Sequence, residues 1–246
     1  MTPHDPLSPL AELPGVAEAV DATRAAMDGL LREPALRRRR GEVRAAARVH
    51  SAWASARLAG SDVVMDQFDP PFADDESGRL AAAALHAASE VGSLAATWKR
   101  APLQALARLH TVAAAALVEE EALGRPRAAA GVSERLATLA DVVASTAVPG
   151  VIVSAVVHGE LLAIEPFGSV DDIVARAASR VVLVESGVDP DAITVPEVGL
   201  IDLGADAYAS ALQGFVGGRP TDVGHWITFH AAAVQRGAAF ARTLCR

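Results

Sequence analysis

The sequence predicts an all-α protein, and three observations lead to that fold class. Hydrophobic residues make up 51% of the 246 residues, much of that share is alanine, and aromatic residues make up only 4%. Alanine is the strongest helix former because its side chain loses no rotamer entropy in a helix. Residues 150–164 are apolar nearly all round, which predicts a buried helix at the centre of a bundle. We therefore expect a helical bundle around that helix, with little or no β-structure.

The first half of the chain predicts a proline-rich leader and four helices. Four prolines within residues 1–14 indicate an extended or disordered leader. Glu33-Pro34 ends the first helix, because a residue before proline disfavours the helical conformation. Gly60 ends the second helix in a left-handed cap, a solvated acidic loop at residues 74–76 precedes the third, and Pro102 suits the first turn of the fourth. The four predicted helices cover residues 15–31, 35–58, 77–99 and 102–123.

The second half predicts five more helices and one irregular segment. Ser133 is expected to cap the first of these helices. Residues 194–205 have no clear periodicity, so we predict a loop with a short turn there. We divide the chain into a leader and helix at residues 1–40 and a helical domain at residues 41–246. The helices of this half are predicted at residues 134–144, 150–164, 171–186, 207–214 and 222–244.

Composition and charge limit the kinds of molecule that this protein is expected to bind. A net charge of −8 and a pI of about 5.3 do not suit a nucleic-acid surface, which would be basic. The basic run at residues 37–40 is better explained as the polar start of a helix. The lone Cys245 cannot form an internal disulfide and, near a chain end, is not expected to be a nucleophile. Without a signal-peptide pattern or a membrane-length apolar stretch, we expect a cytoplasmic protein that binds neither nucleic acid nor membrane.

The turn after the predicted central helix carries a recognisable motif. It reads Glu165-Pro166-Phe167-Gly168-Ser169-Val170-Asp171-Asp172-Ile173, and Arg176 follows three residues later. This resembles the active-site turn of the Fic family, His-Pro-Phe-x-(Asp/Glu)-Gly-Asn-Gly-Arg-x-x-Arg. Pro166, Phe167 and Arg176 match the family pattern. The other positions depart from the pattern. In this chain Glu165 replaces the histidine, Ser169 replaces the acidic residue, Val170-Asp171-Asp172 replaces Gly-Asn-Gly, and Ile173 replaces the first arginine.

Other segments are similar to Fic sequences in the same order along the chain. Residues 50–60 resemble the segment that carries the family's inhibitory motif, (Ser/Thr)-x-x-x-Glu-(Gly/Asn). Ser55 and Gly60 match that motif, whereas Ala59 replaces the inhibitory glutamate. The remaining similar segments are Leu109-His110, residues 124–127, residues 208–213 and residues 226–229, so that the resemblance covers about residues 41–240.

The resemblance implies transfer of AMP or another phosphate-containing group to a hydroxyl of a target protein. In that family the histidine is the general base, the acidic residue holds Mg²⁺ and the Gly-Asn-Gly amides bind phosphates. Here valine and aspartate replace the two glycines that let amides approach an anion closely. Asp171 and Asp172 would repel phosphates and suit the positive end of the helix dipole as capping residues. Ser169 alone is a poor ligand for Mg²⁺.

We therefore predict a protein that has lost the family reaction, with no cofactor and no metal, and that acts as a binding, regulatory or scaffold protein. Its expected partner is another cytoplasmic protein, and it could also form a homo-oligomer. The alternative is an adenylyltransferase-like enzyme in which Glu165 replaces the histidine as base. A rearranged metal site at Glu165, Asp171 and Asp172 is less favoured, since adjacent helical side chains point in different directions. Without an inhibitory glutamate, Arg176 is predicted to pair with Asp172, four residues earlier.

The remaining histidines are predicted to be structural. His158 lies on the predicted buried helix and is expected to be a hydrogen-bonded core residue. His225 and His230 are five residues apart, which does not match the i, i+4 pair of a helical zinc site. His50 and His110 have no cysteine or carboxylate at ligand spacing.

Overall fold

The computed structural model describes residues 5–246, so Pro3 of the predicted leader lies outside the described residues. This part of the chain contains eleven α-helices, two short 3-10 turns and no β-strand, which confirms the all-α prediction. The helices are α1 (Ser8–Ala11), α2 (Val16–Leu31), α3 (Leu36–Leu58), α4 (Glu76–Trp98), α5 (Pro102–Ala113), α6 (Val132–Ser145), α7 (Gly150–Ile164), α8 (Asp171–Glu185), α9 (Pro196–Leu203), α10 (Ala205–Gly217) and α11 (Pro220–Leu244).

Helix α7 is the centre of the bundle, as the sequence predicts. Most of its side chains are buried, and they contribute to two hydrophobic clusters on opposite sides of the helix. Val153, Val157 and Leu161 face the cluster formed with α4, α5 and α8. Ile152 and Ala155 face the cluster formed with α2 and α11. None of the helices between residues 5 and 246 combines the length and apolarity needed to cross a membrane.

The predicted extended leader is wrong for residues 5–14. These residues contain α1, and Asp5 accepts hydrogen bonds from Thr146 Oγ1 at 2.8 Å and from the Ala147 amide at 2.7 Å. Leu7 is buried against the core, and this burial explains why a proline-rich segment is ordered here. The predicted division after residue 40 stays a prediction. It falls inside α3, next to a kink at which Arg39 leaves helical geometry (φ −122°, ψ 23°).

Three further predictions are corrected. Helix α5 ends at Ala113, not near residue 123, because the chain turns back and the Gly124 amide donates to His110 Nδ1 at 2.9 Å. Helix α6 begins at Val132 after Gly131 in the left-handed region (φ 78°), so Ser133 is not its cap. Residues 194–205 are not a loop but contain α9, which is buried between α3 and α11 and therefore lacks an amphipathic pattern.

The acidic segment at residues 74–76 has structural roles in addition to solvation. Asp75 caps α4 by accepting a hydrogen bond from the Gly78 amide at 2.8 Å. Asp74 pairs with Arg79 at 2.9 Å. The Asp75 carboxylate stabilises the start of α4, because it satisfies a free amide and suits the helix dipole there. The exposed Asp74–Arg79 pair contributes little to stability.

Candidate functional site

Three residues of the turn between α7 and α8 have backbone φ angles in the left-handed region. Glu165 has φ 42°, Gly168 has φ 73° and Val170 has φ 47°. A β-branched residue rarely adopts positive φ, and we estimate the cost at about 1–3 kcal/mol. The surrounding fold therefore imposes this conformation on Val170 despite that cost.

Asp171 places its carboxylate inside this turn. Its Oδ1 accepts a hydrogen bond from the Phe167 amide at 2.9 Å, and its Oδ2 accepts one from the Gly168 amide at 2.6 Å. The sequence predicts that Asp171 caps α8, but the amides that it satisfies belong to the turn before the helix. Burial raises the pKa of Asp171, although the two amide hydrogen bonds oppose that shift. The two amides of the turn thus already bind an anionic group from the chain itself.

Asp172 and Arg176 form the ion pair that their spacing predicts. Asp172 Oδ2 accepts from Arg176 Nη2 at 2.8 Å, and Asp172 Oδ1 accepts from the Ile173 amide at 2.8 Å. Arg176 is buried, and it also donates through Nε to Ser55 Oγ and through Nη2 to the Ser55 carbonyl, each at 2.9 Å. These contacts join α8 to the end of α3, where Ala59 and Gly60 lie in the turn that follows. The Nε and Nη2 atoms of Arg176 are therefore engaged by protein groups.

The Fic-like segments that are separate in sequence meet around Phe167. The ring of His110 stacks on the ring of Phe167, with centroids 4.2 Å apart and planes 7° from parallel. Arg127 donates from Nε to the Glu165 carbonyl at 2.6 Å and from Nη2 to the Ile164 carbonyl at 2.9 Å. Its own amide donates to the Pro166 carbonyl at 2.8 Å. A cation at the C-terminus of α7 satisfies carbonyls that the helix leaves free, so residues 124–127 fix this turn.

The acidic side chains of the turn do not converge. Glu165 is exposed, Asp171 points back into the turn, and Asp172 points to Arg176. Ser169, at the position of the family's metal-binding acid, is only partly buried. Within residues 5–246, no group of three or more histidine, cysteine, aspartate or glutamate side chains is arranged to hold a metal ion.

A second polar cluster lies in the core beneath this turn, and it centres on His158. Its Nε2 lies 2.7 Å from Tyr208 Oη, and its Nδ1 lies 3.3 Å from His230 Nδ1. His230 Nε2 lies 2.9 Å from Ser154 Oγ, which donates to the Ser179 carbonyl at 2.9 Å. These bonds assign one consistent order, in which Tyr208 donates to His158, His158 donates to His230, and His230 donates to Ser154. The prediction of a core histidine at position 158 is confirmed, and both rings are neutral in this order.

We expect these buried histidines to make the protein acid-sensitive. Burial lowers the pKa of His230 from 6.5 to about 4, and burial also lowers the pKa of His158 well below 6.5. An unfolded chain would bind protons first, so stability falls as pH drops from 6.5 towards 4, by about 3 kcal/mol for His230 alone. The raised pKa values of the buried Asp171 and Asp189 act in the opposite direction and reduce the net loss.

Urea unfolding at about pH 7 and about pH 4.5 would measure this loss. The variant His230→Gln removes the titrating ring, so its stability should change less between the two pH values. An equal change in the variant and the natural protein would contradict the assignment.

One buried ion pair was not predicted from the sequence. Arg180 and Glu197 are each about 3% exposed, and Arg180 Nε lies 3.9 Å from Glu197 Oε1. Arg180 also donates from Nη1 to Ser51 Oγ at 2.7 Å and from Nη2 to the Ala192 and Thr194 carbonyls at 3.2 Å. Glu197 lies on α9, within the segment predicted to be a loop, and no sequence pattern links it to Arg180.

Comparisons with known proteins place the fold. No family model matches the sequence, and no curated protein matches it either. Among solved structures, a Fic family protein from Desulfovibrio desulfuricans G20 is 17% identical, with a TM-score of 0.72 over 92% of this chain and 74% of that chain. Residues 134–508 of Fic-1 from C. elegans are 14% identical, with a TM-score of 0.65 over 92% of this chain and 73% of that chain. The arrangement of helices around α7 and its turn is therefore the fold of Fic family proteins.

Proposed function

We propose that this Fic-fold protein does not transfer AMP or a related group and acts by binding another protein. One observation carries the proposal. The carboxylate of Asp171 is fixed by the Phe167 and Gly168 amides, directly beside residues 170–172, where the resemblance would place a nucleotide's phosphates. An internal carboxylate that is fixed in this position repels any external anion that approaches the amides of residues 170–172.

Electrostatics support the same proposal. Repulsion between a carboxylate and a phosphate charge about 4 Å apart raises the free energy of binding by about 4 kcal/mol at an effective dielectric constant of 20. This repulsion raises Kd by about 1,000-fold for each such pair. Asp171 and Asp172 both lie at the first turn of α8, and Arg176 is already bound to Asp172 and Ser55. Ser169 offers no charge to hold the Mg²⁺ that would screen the phosphates. The residues present thus do not fit a magnesium-nucleotide complex.

An altered transferase is the alternative, and the exposure of Glu165 favours it. This side chain lies at the end of α7, and its carboxylate forms no hydrogen bond or ion pair with residues 5–246. It could therefore accept a proton from a hydroxyl group of a target protein. Replacement by alanine should abolish any transfer activity if this alternative holds, and should leave binding functions intact if it does not.

The test is calorimetric titration with ATP and Mg²⁺. We expect no saturable heat for the natural protein, because the carboxylates of Asp171 and Asp172 repel phosphate. A matched variant restores the family pattern up to Ile173 with Glu165→His, Ser169→Asp, Val170→Gly, Asp171→Asn and Asp172→Gly. Binding by that variant alone would support the proposal. Micromolar binding of ATP by the natural protein would contradict it.

The partner and the location are also proposals. We propose a cytoplasmic protein as the partner, with self-association as a second mode of binding. Light scattering of the purified chain would distinguish the two modes, since the monomer has a mass of 25.3 kDa. If the protein is monomeric at all concentrations, self-association is excluded as a mode of binding.

A further inference from the structure

A basic cleft lies between α3 and α4, away from the turn after α7. Its volume is about 190 Å³, and it is lined by Arg44 and Arg48 from α3, by Gly92 from α4 and by Arg180 from α8. None of the described side chains that line it is acidic. This concentration of positive charge is unusual in a chain whose net charge is −8.

The two α3 arginines of the cleft have unused charge and donors. Neither Arg44 nor Arg48 forms a hydrogen bond or an ion pair with any residue from 5 to 246. One turn earlier on the same face of α3, Arg40 pairs with Asp191 at 3.4 Å. Each guanidinium carries five N–H donors in a planar fork that matches the oxygens of a phosphate. Two such groups on successive turns, four residues apart, lie side by side on the helix surface.

The floor of the cleft is rigid. Arg180 is about 3% exposed, and Ser51 together with the Ala192 and Thr194 carbonyls fixes its guanidinium. Part of its charge is balanced by Glu197, 3.9 Å from its Nε. Arg180 therefore contributes a fixed position and a positive field, whereas Arg44 and Arg48 contribute the free donors.

Gly92 shapes the wall opposite these arginines. A Cβ atom at this position would lie 2.5 Å from Arg44 Nη2, so the guanidinium rests against bare helix backbone. Glycine inside a helix costs about 1 kcal/mol relative to alanine. Glycine at position 92 therefore leaves room for the guanidinium of Arg44 in the position that it has here, although the flexible arginine could also move aside.

We propose that this cleft binds a small phosphate-type oxyanion through Arg44 and Arg48, with Arg180 as its floor. Pockets for drug-sized ligands have volumes of about 300–1,000 Å³, so this cleft suits inorganic phosphate, pyrophosphate or a single phosphate headgroup. Bound anion would relieve the repulsion between the guanidinium groups and use donors that the protein leaves free.

Titration with inorganic phosphate and with pyrophosphate at constant ionic strength tests the proposal. Arg44→Gln and Arg48→Gln should each weaken binding by about tenfold or more, because each removes charge-assisted hydrogen bonds. Both side chains are exposed, so these variants should fold normally. Arg57→Gln is the matched control, since Arg57 is exposed on the same helix but outside the cleft. It should leave binding unchanged.

A second arm separates the two sources of the phosphate group. Co-sedimentation with vesicles that contain phosphatidic acid presents the same chemistry at a lipid surface. Loss of either phosphate binding or vesicle binding in Arg44→Gln, but not in Arg57→Gln, would support the site and identify the source. The proposal is overturned if neither ligand binds, or if all three variants weaken binding equally, which would indicate non-specific attraction.

Discussion

Replacement of Arg180 by methionine is expected to destabilise the protein by about 3–5 kcal/mol, because it leaves a buried charge without its partner. Glu197 is buried, and its Oε2 forms no hydrogen bond within residues 5–246. Arg180 provides the nearby positive charge and links α8 to Ser51 on α3 and to the Thr194 carbonyl before α9. Methionine fills a similar volume, so the loss would report on charge and hydrogen bonds more than on a cavity.

Urea denaturation of Arg180→Met, Glu197→Met and the double variant would measure this effect. We expect the double variant to be more stable than Arg180→Met, since removal of both partners leaves no unpaired charge. Arg32→Met provides a surface comparison, because the Arg32–Asp28 pair is 77% and 53% exposed and should contribute less than about 1 kcal/mol. A loss in Arg180→Met as small as that of Arg32→Met would contradict the role of the buried pair.

Local pattern predicts the elements whose partners lie close in sequence. The apolar run in α7 identifies the central helix because burial on all sides removes the need for polar residues. The pair of Asp172 and Arg176 follows from their spacing on one helix. The likeness of scattered segments to one family predicts that distant parts of the chain are arranged in the Fic fold, and the solved structures bear that out.

Long-range contacts explain what the sequence does not predict. Asp171 turns back to the Phe167 and Gly168 amides because the positive φ of Val170 redirects the chain there. Arg127 meets the end of α7 from a loop 37 residues earlier in the chain, and no spacing rule covers such a contact. Helix α9 is not predicted because a short helix that is buried on two sides shows no periodic alternation of polar and apolar residues.

The close approach of α9 to α11 gives the second large expected effect. We expect Gly199→Ala to destabilise the protein by about 3 kcal/mol or more. A Cβ atom at Gly199 would lie 2.1 Å from the Ala233 carbonyl oxygen, and this obstacle is backbone that cannot rotate away. At the other end of the contact, a Cβ atom at Gly237 would lie 2.5 Å from the Val195 carbonyl. The helices would have to separate, which would expose apolar surface and move Glu197 relative to Arg180.

Thermal unfolding of Gly199→Ala beside Gly29→Ala would test this packing. Gly29 lies inside α2, and a Cβ atom added there would have no neighbouring atom within 4 Å, so alanine should stabilise the protein by about 0.5–1 kcal/mol. The same substitution is thus expected to have opposite signs at the two sites. Helix propensity alone would make both variants more stable, so a stabilised Gly199→Ala would show that α9 and α11 do not touch backbone to backbone.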